Sequence, residues 1–195
     1  IVRLYVLFLS RSLSLLHTHN PSSHLTRHTH TNIQVRKAAI SVICKMALQL
    51  KTGKNWLMDQ VVPQTQARFD DSKTHYDRMV VMRLIKEVCK TGLSEAANKL
   101  YVCWSKACKN PIPNLKIAAA DIYPFLLPLL SDDEKKEEAK GLVIKLCDDE
   151  DVDVAFMANR SIARSQSGCG DDVSSKESEE KVSDDAKVDE VEVDV

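Results

Sequence analysis

The sequence predicts an all-α protein: an α-solenoid of stacked helix pairs with a tail at each end. Three observations lead to this prediction. The 195 residues include only 5 Gly and 6 Pro, and aromatic residues make up 5%, which is few for a β-sheet core. Apolar residues recur at helical spacing through the middle of the chain. The helical segments also repeat along the chain at a nearly constant step.

Charge divides the chain into three parts. Residues 1–32 hold three Arg and no acidic residue, residues 33–165 carry a net charge of +4, and residues 166–195 hold 3 Lys against 11 acidic residues. Such asymmetry is typical of tails that flank a folded domain. We therefore assign 33–165 to a helical repeat array, 1–32 to an unstructured or spurious extension, and 166–195 to a disordered acidic tail.

The N-terminal part does not have the pattern of a signal peptide. Its apolar stretch, residues 4–9, is short, and no small-residue cleavage site follows it. Five His lie within residues 17–30, and imidazoles two residues apart in an extended chain could converge on a metal. Alternating His and Thr is also what a translated CA-rich nucleotide repeat would give, and we favour this explanation.

The first helix of the array is predicted from Ile33 to Leu50, where apolar residues follow the i, i+3, i+4, i+7 pattern. It ends at Lys51-Thr52-Gly53, and Gly53 is expected to take the left-handed position that follows many helices. The next helical segment, 55–69, contains Pro63, which removes a backbone donor and should bend that helix.

The later helices repeat this arrangement. A second run from Tyr76 to Val88 ends at Lys90-Thr91-Gly92, and further segments lie at about 93–108, from Asn114 to near Pro128, at 134–147, and from residue 154. The period is near 39 residues, close to the ~40–47 of HEAT and armadillo repeats. Three and a half helix pairs result, and the first pair has only its second helix. Because that helix lacks a partner and the chain begins with Ile1 rather than Met, we expect further repeats on the N-terminal side.

Cysteine usage and hydropathy bear on location. The six Cys show no paired spacing in a Lys/Glu-rich chain, which indicates reduced, buried thiols in a cytoplasmic protein that could also be nuclear. No apolar run reaches the ~18 residues of a membrane span, so no membrane partner is predicted.

Several short sequences in the array carry a family resemblance. They are Gly53-Lys54-Asn55-Trp56, Val61-Val62-Pro63, Tyr76-Asp77-Arg78-Met79, Glu87-Val88-Cys89, Asn114-Leu115-Lys116 and Asp151-Val152-Asp153-Val154. In this order and spacing, residues 33–165 resemble the C-terminal HEAT repeats of the scaffolding (A) regulatory subunit of protein phosphatase 2A. Ala155, Gly141 and the link 69–74 depart from the family pattern, and nothing in the family corresponds to the tail. The resemblance is therefore to a divergent, N-terminally truncated member.

The resemblance implies a non-catalytic scaffold. The turns that join the two helices of each repeat would hold a phosphatase catalytic subunit, and B-type regulatory subunits would dock only on repeats missing here. By position, the partner-binding residues are Asp71, Lys73, Tyr76, Arg78, Asn110, Pro111, Asn114, Lys116, Asp149, Asp151 and Asp153. Tyr76 and Arg78 are the strongest candidates, since aromatic and Arg side chains dominate interface energetics.

Each candidate also has a purely structural explanation. An Asp at the start of a helix can act as an N-cap, and Arg36 and Arg78 can pair with acidic neighbours along the stack. Trp56 and Trp104 fall on apolar helix faces and are predicted in the core. Cys103 and Cys108 have neither a second cysteine pair nor a nearby His, so no zinc site is predicted.

Other function classes find little support. The sequence has no phosphate loop, metalloprotease motif or nucleophile elbow, and the cysteines that could pair with His75 fall on buried helix positions. We predict neither catalysis nor a cofactor. Nucleic-acid binding is not expected, because the net charge is modest and basic residues do not cluster with aromatics. The main alternative is a HEAT adaptor or transport-receptor-like protein that grips another protein with its second-position helices.

Overall fold

The computed structural model describes residues 25–167, with side chains described from Gln34 onward. This part is all-α and contains no strand. Its seven helices are α1 (Leu25–Gln49), α2 (residues 53–71), α3 (His75–Lys90), α4 (Ser94–Cys108), α5 (Pro113–Leu126), α6 (Asp133–Cys147) and α7 (Val152–Gln166). The helix α2 is composite: Gly53–Trp56, a π-helical turn Leu57–Val61, and Val62–Asp71. A short 3-10 turn, Leu127–Leu129, follows α5.

The helices form two layers, as expected for a HEAT-type α-solenoid. The helices α1, α3, α5 and α7 pack side by side in one layer, which we call the B layer. The helices α2, α4 and α6 form the A layer, and each also packs on the B-layer helix that follows it. One continuous apolar core lies between the layers, with Trp104, Ile85 and Leu115 fully buried. The predicted fold class is confirmed.

The ends of the helices follow from local sequence. Thr74, Asp132 and Asp151 each accept a backbone hydrogen bond as the N-cap of α3, α6 and α7. At the end of α3, Gly92 has a φ of +73°. There the N–H groups of Gly92 and Leu93 donate to carbonyls of the last helical turn, which is a Schellman motif.

The prediction for Gly53 is wrong. Among the described glycines only Gly92 has a positive φ, and Gly53 is instead the first residue of α2. A Cβ on Gly53 would lie 2.2 Å from the carbonyl oxygen of Met46 and 2.9 Å from the Cα of Ala47. Glycine is therefore required here because the backbones of α1 and α2 approach closely. From the sequence alone, a glycine needed for close packing cannot be distinguished from one needed for a left-handed turn.

Prolines shape two helices. The π-helical turn of α2 ends two residues before Pro63, whose missing N–H leaves a carbonyl one turn earlier without its usual donor. The helix is thus irregular near Pro63, and the bend itself stays a prediction. Pro128 lies in the 3-10 turn after α5, as expected, but Pro124 lies inside α5 near its end, which the sequence pattern did not indicate.

The first helix begins earlier than predicted. Its backbone is helical from Leu25, eight residues before the boundary at residue 33. Extending an existing helix costs far less than nucleating one, so a polar stretch can continue it. The extended-chain geometry assumed for a metal at residues 28 and 30 does not hold there. The predictions for residues 1–24 and for the acidic tail beyond residue 167 lie outside the described residues.

The two tryptophans were both predicted in the core. Trp104 is fully buried and donates from its indole nitrogen to the carbonyl of Ala119 at 2.8 Å, whereas Trp56 is only half-buried against the core. Within residues 25–167, no helix is both long and apolar enough to cross a membrane.

Candidate functional site

The three turns inside the helix pairs lie on one edge of the solenoid. They are residues 72–74, 109–112 and 148–151, and each connects an A-layer helix to the B-layer helix that follows it. Because every A-layer helix runs toward this edge and every B-layer helix away from it, the turns form a row, which we call the ridge. All eleven predicted partner-binding residues lie in these turns or within four residues of them.

In the first turn, Arg78 holds the backbone in place. Its guanidinium donates from Nε to the carbonyl of Phe69 at 3.3 Å and from Nη2 to the carbonyl of Ser72 at 3.1 Å. It also lies over the Phe69 ring, with the guanidinium carbon 5.8 Å from the ring centroid. Arg78 therefore satisfies carbonyls at the end of α2 instead of pairing with an acidic neighbour, as its structural explanation had assumed.

A second network closes the same turn. Arg68 donates to Asp77 at 2.9 Å, and the Thr74 hydroxyl donates to the other oxygen of Asp77 at 2.9 Å. Burial opposes ionisation of Asp77, but the hydrogen bonds from Arg68 and Thr74 outweigh it and hold its pKa below the ordinary value. The turn is consequently rigid on both sides of Arg78.

Tyr76 projects from this rigid turn. Its side chain is 68% exposed, and its ring contacts His75, with the ring centroids 3.9 Å apart. Asp71 and Lys73 beside it are also exposed. An exposed aromatic ring on a fixed backbone is a suitable anchor for a protein partner.

The second turn is held by Asn110, whose side-chain oxygen accepts from the N–H of Ile112 at 3.1 Å. This is the local bond that an Asn forms when it stabilises a turn. The side chains of Pro111 and Asn114 are exposed beside it. Of the predicted residues in this turn, Pro111 and Asn114 are thus available for contacts.

Lys116 and Asp149 connect the second turn to the third. The Lys116 ammonium donates to Asp149 at 2.6 Å, and their side chains are only 21% and 13% exposed. The Lys116 hydrogen bond holds the pKa of the Asp149 carboxyl below its ordinary value. Both were predicted as partner contacts, but this ion pair already occupies them in joining adjacent repeats.

The third turn combines a cap with an exposed surface. Asp151 accepts from the N–H groups of Asp153 and Val154 at 3.0 and 3.2 Å, so it acts as the N-cap of α7. Asp153 is exposed. Val152 was not predicted as a site residue, yet it is 80% exposed at the first position of α7, directly after the turn. An apolar residue between two Asp in a turn was the signal that could have identified it.

Two further ion pairs join neighbouring repeats beside the ridge. Lys106 donates to Asp70 at 2.6 Å, and Lys109 lies 3.4 Å from Glu138, which also accepts from the Tyr101 hydroxyl at 2.8 Å. The sequence did not indicate these pairs because their partners are about 30 to 40 residues apart, one repeat of such an array. They hold adjacent turns at a fixed separation.

The thiols of the core are poorly suited to nucleophilic chemistry. Burial raises the pKa of Cys89 and Cys108 to about 12 and that of Cys44 and Cys103 to about 11. All the cysteines in the described part are free. No group of three or more His, Cys, Asp or Glu side chains within that part is placed to hold a metal ion.

Comparison with known proteins finds a distant relative. Over 123 residues the chain is 25% identical to the A-type regulatory subunit of protein phosphatase PP2A from Saccharomyces cerevisiae. The match covers 58% of this chain and 19% of the yeast protein, so the chain spans about one fifth of its relative's length. No protein-family profile matches the chain. The similarity and the helix architecture together support a HEAT-repeat relationship.

Proposed function

We propose that this chain is a non-catalytic scaffold or regulatory component that holds a catalytic subunit of the protein phosphatase 2A type on its ridge. The likeness to a phosphatase regulatory subunit points to the class of partner. Any B-type regulatory subunits would reach the complex through repeats that this chain does not contain.

The observation that carries the proposal is the combination of rigid turns with exposed tips. Arg78, Asn110 and Asp151 each fix the backbone of one turn through hydrogen bonds. Tyr76 and Val152 are exposed at the starts of α3 and α7, directly after the first and third turns. A surface that is ordered before binding loses little conformational entropy on association, which favours affinity.

The ridge residues divide into two roles under this proposal. Tyr76, Val152, Asn114 and Pro111 would contact the partner directly, with Asp71, Lys73 and Asp153 at the rim. The second role, positioning the turns, belongs to Arg78, Asn110, Lys116, Asp149 and Asp151. Of the two strongest candidates, we accordingly keep Tyr76 as the anchor and assign Arg78 to positioning.

A binding measurement with one ridge variant tests this proposal. We expect the full chain to bind purified phosphatase 2A catalytic subunit, and Tyr76→Ala to weaken binding about tenfold, or ~1.4 kcal/mol. The melting temperature should not change, because the Tyr76 side chain is mostly in solvent. Isothermal titration calorimetry and thermal unfolding by circular dichroism measure the two quantities.

Val102→Ala is the matched control. Val102 is 49% exposed on α4, away from the turns, so truncating it should leave binding unchanged. Equal weakening by both variants would exclude the ridge as the contact surface. A folded chain without affinity for the catalytic subunit would favour the HEAT adaptor with a different protein partner.

A further inference from the structure

The two layers of the solenoid differ in charge. Among residues 34–167, the B-layer helices carry ten basic and four acidic side chains, a net charge of +6. The A-layer helices carry eight of each sign and are neutral. Basic charge is therefore concentrated on the B layer.

Part of this charge forms a compact group that spans three helices. Asp121 of α5 accepts from Lys86 of α3 at 2.5 Å and lies 3.8 Å from Arg164 of α7. The charged groups of Lys90 and Arg164 both lie 5.5 Å from the ring centroid of Phe125. We call these five residues the cationic cluster: Lys86, Lys90, Asp121, Phe125 and Arg164.

The cluster has more positive charge than its own contacts neutralise. The cluster holds three cations and one carboxylate, which pairs with Lys86 and Arg164 only, and the side chains of Lys86, Asp121 and Arg164 remain about one third exposed. Arg83 lies seven residues before Lys90 on α3, and Arg160 lies four residues before Arg164 on α7, so both extend the same helix faces. Among the described residues, neither Arg83 nor Arg160 has a carboxylate within 4.0 Å.

Stabilisation of helix ends accounts for only part of the arrangement. Lys90 and Arg164 lie at the C-terminal ends of α3 and α7, where a cation interacts favourably with the helix dipole. That effect is confined to the last turn and does not explain Arg83 or Arg160, which lie further from the helix ends. The remaining positive surface fits an extended, acidic polypeptide.

The chain itself contains such a segment next to the cluster. Residues 168–195 hold 11 acidic residues and 3 Lys, a net charge of −8, and they follow α7 directly. Arg164 lies only four residues before this segment begins. Twenty-eight residues can reach about 90 Å when extended, whereas three packed helices span roughly 20 Å between their axes.

We propose that the acidic segment 168–195 docks within the same molecule onto the cationic cluster and the adjoining Arg83 and Arg160. Tethering raises the effective concentration of the segment to about the millimolar range, so individually weak ion pairs suffice. Salt screens exposed charges, so the docked state weakens as ionic strength rises. B-layer helices run away from the ridge, and the cluster lies toward their C-terminal ends, so this surface is near the opposite edge of the solenoid. The proposal is therefore independent of phosphatase binding at the ridge.

Carbodiimide coupling tests the proposal on the full chain, since it joins a lysine amine to a carboxylate only when the two are in contact. We expect peptides that join Lys90 to acidic residues of the tail at low salt, and a fall of about fivefold at 0.5 M NaCl. A mixture of 14N- and 15N-labelled protein distinguishes coupling within one molecule from coupling between copies. Mass spectrometry quantifies both.

A charge-reversal variant completes the experiment. Arg83→Glu with Arg160→Glu should reduce coupling of Lys90 to the tail at least about fivefold, because the neighbouring charge changes sign. The control, Lys99→Glu with Lys145→Glu, makes the same net change on exposed A-layer positions and should leave coupling intact. Circular dichroism checks that both variants are folded.

Three results would overturn the proposal. The first is coupling of the tail that is spread evenly over lysines of both layers, and the second is coupling to Lys90 that the charge reversal does not reduce. The third is products that contain both isotopes, which would assign the tail to a second copy.

Discussion

At the scale of single residues, the first turn of the ridge depends on one guanidinium. Arg78 donates to the carbonyls of Phe69 and Ser72, and no other side chain within the described structure donates to either of them. Hydrogen bonds that involve a charged group contribute more to stability than those between neutral groups. A carbonyl in a half-buried turn that has lost its donor also adds a desolvation cost. The residue is therefore more important for the shape of the ridge than for its surface.

We expect Arg78→Glu to destabilise the protein by about 1–3 kcal/mol, since it removes both bonds and places a carboxylate beside two carbonyl oxygens. Urea unfolding followed by circular dichroism measures the change. Lys99→Glu makes the same reversal of charge at an exposed position of α4, where the Lys99 ammonium forms no hydrogen bond within the described residues. Its effect should stay within about 0.5 kcal/mol. Equal losses would show that the reversal of charge, not the loss of the turn contact, lowers stability.

Asp149 links stability to pH. Its pKa is held below the ordinary value in the folded protein, so it stabilises the fold above the unfolded pKa, and this contribution is lost as pH falls through the folded value. We expect Asp149→Asn to cost about 1–2 kcal/mol at pH 7 and to match the wild type at low pH, where the carboxyl is protonated in both states. Unfolding measured from pH 7 to pH 2 checks this.

Asp70→Asn provides the comparison for Asp149, because the Asp70–Lys106 pair is about half exposed and should contribute less. A difference between wild type and Asp149→Asn that persisted unchanged to pH 2 would mean that the ion pair with Lys116 is not its source.

At the scale of helices and turns, α1 and α2 approach each other so closely that Gly53 has no room for a side chain. A side chain on Gly53 would overlap the backbone of α1, which cannot move without shifting the whole helix. Gly141, in the middle of α6, meets nothing within 4 Å of a built Cβ. Position 53 therefore has no room for a side chain, whereas position 141 has room for one.

We expect Gly53→Ala to destabilise the protein by about 1–3 kcal/mol through overpacking, and Gly141→Ala to stabilise it by up to about 1 kcal/mol through helix propensity. Thermal unfolding of both variants provides the measurement. Stabilisation by both would show that α1 and α2 can separate slightly at no cost.

Most elements of this fold could be predicted from the sequence, because periodic apolar residues and Lys-Thr-Gly or Asp-rich turns are local signals. The helices from α3 onward begin and end within a few residues of their predicted limits. The π-helical turn could not be predicted in detail, since it depends on how α2 packs around Pro63. The partners of Lys116 and Arg78 were also not predictable, because they depend on the separation of neighbouring repeats and on turn carbonyls.

At the scale of the whole molecule, each repeat contacts mainly its neighbours, as in other solenoids. The last described helix is α7, where Val152 and Phe156 are 80% and 64% exposed. Sequence charge predicted tails around a domain, but the neutral A layer and the basic B layer emerged only once the structure showed which helices lie together.

Ion pairs join neighbouring repeats near both edges of this stack. Lys116 and Asp149 do so at the ridge, and Lys86, Asp121 and Arg164 do so toward the opposite edge. When one helix pair rotates about the next, one edge opens as the other closes, so each direction of bending stretches one set of charges. The bending stiffness of the array is therefore partly electrostatic, and it should fall as ionic strength rises while the preferred curvature stays the same.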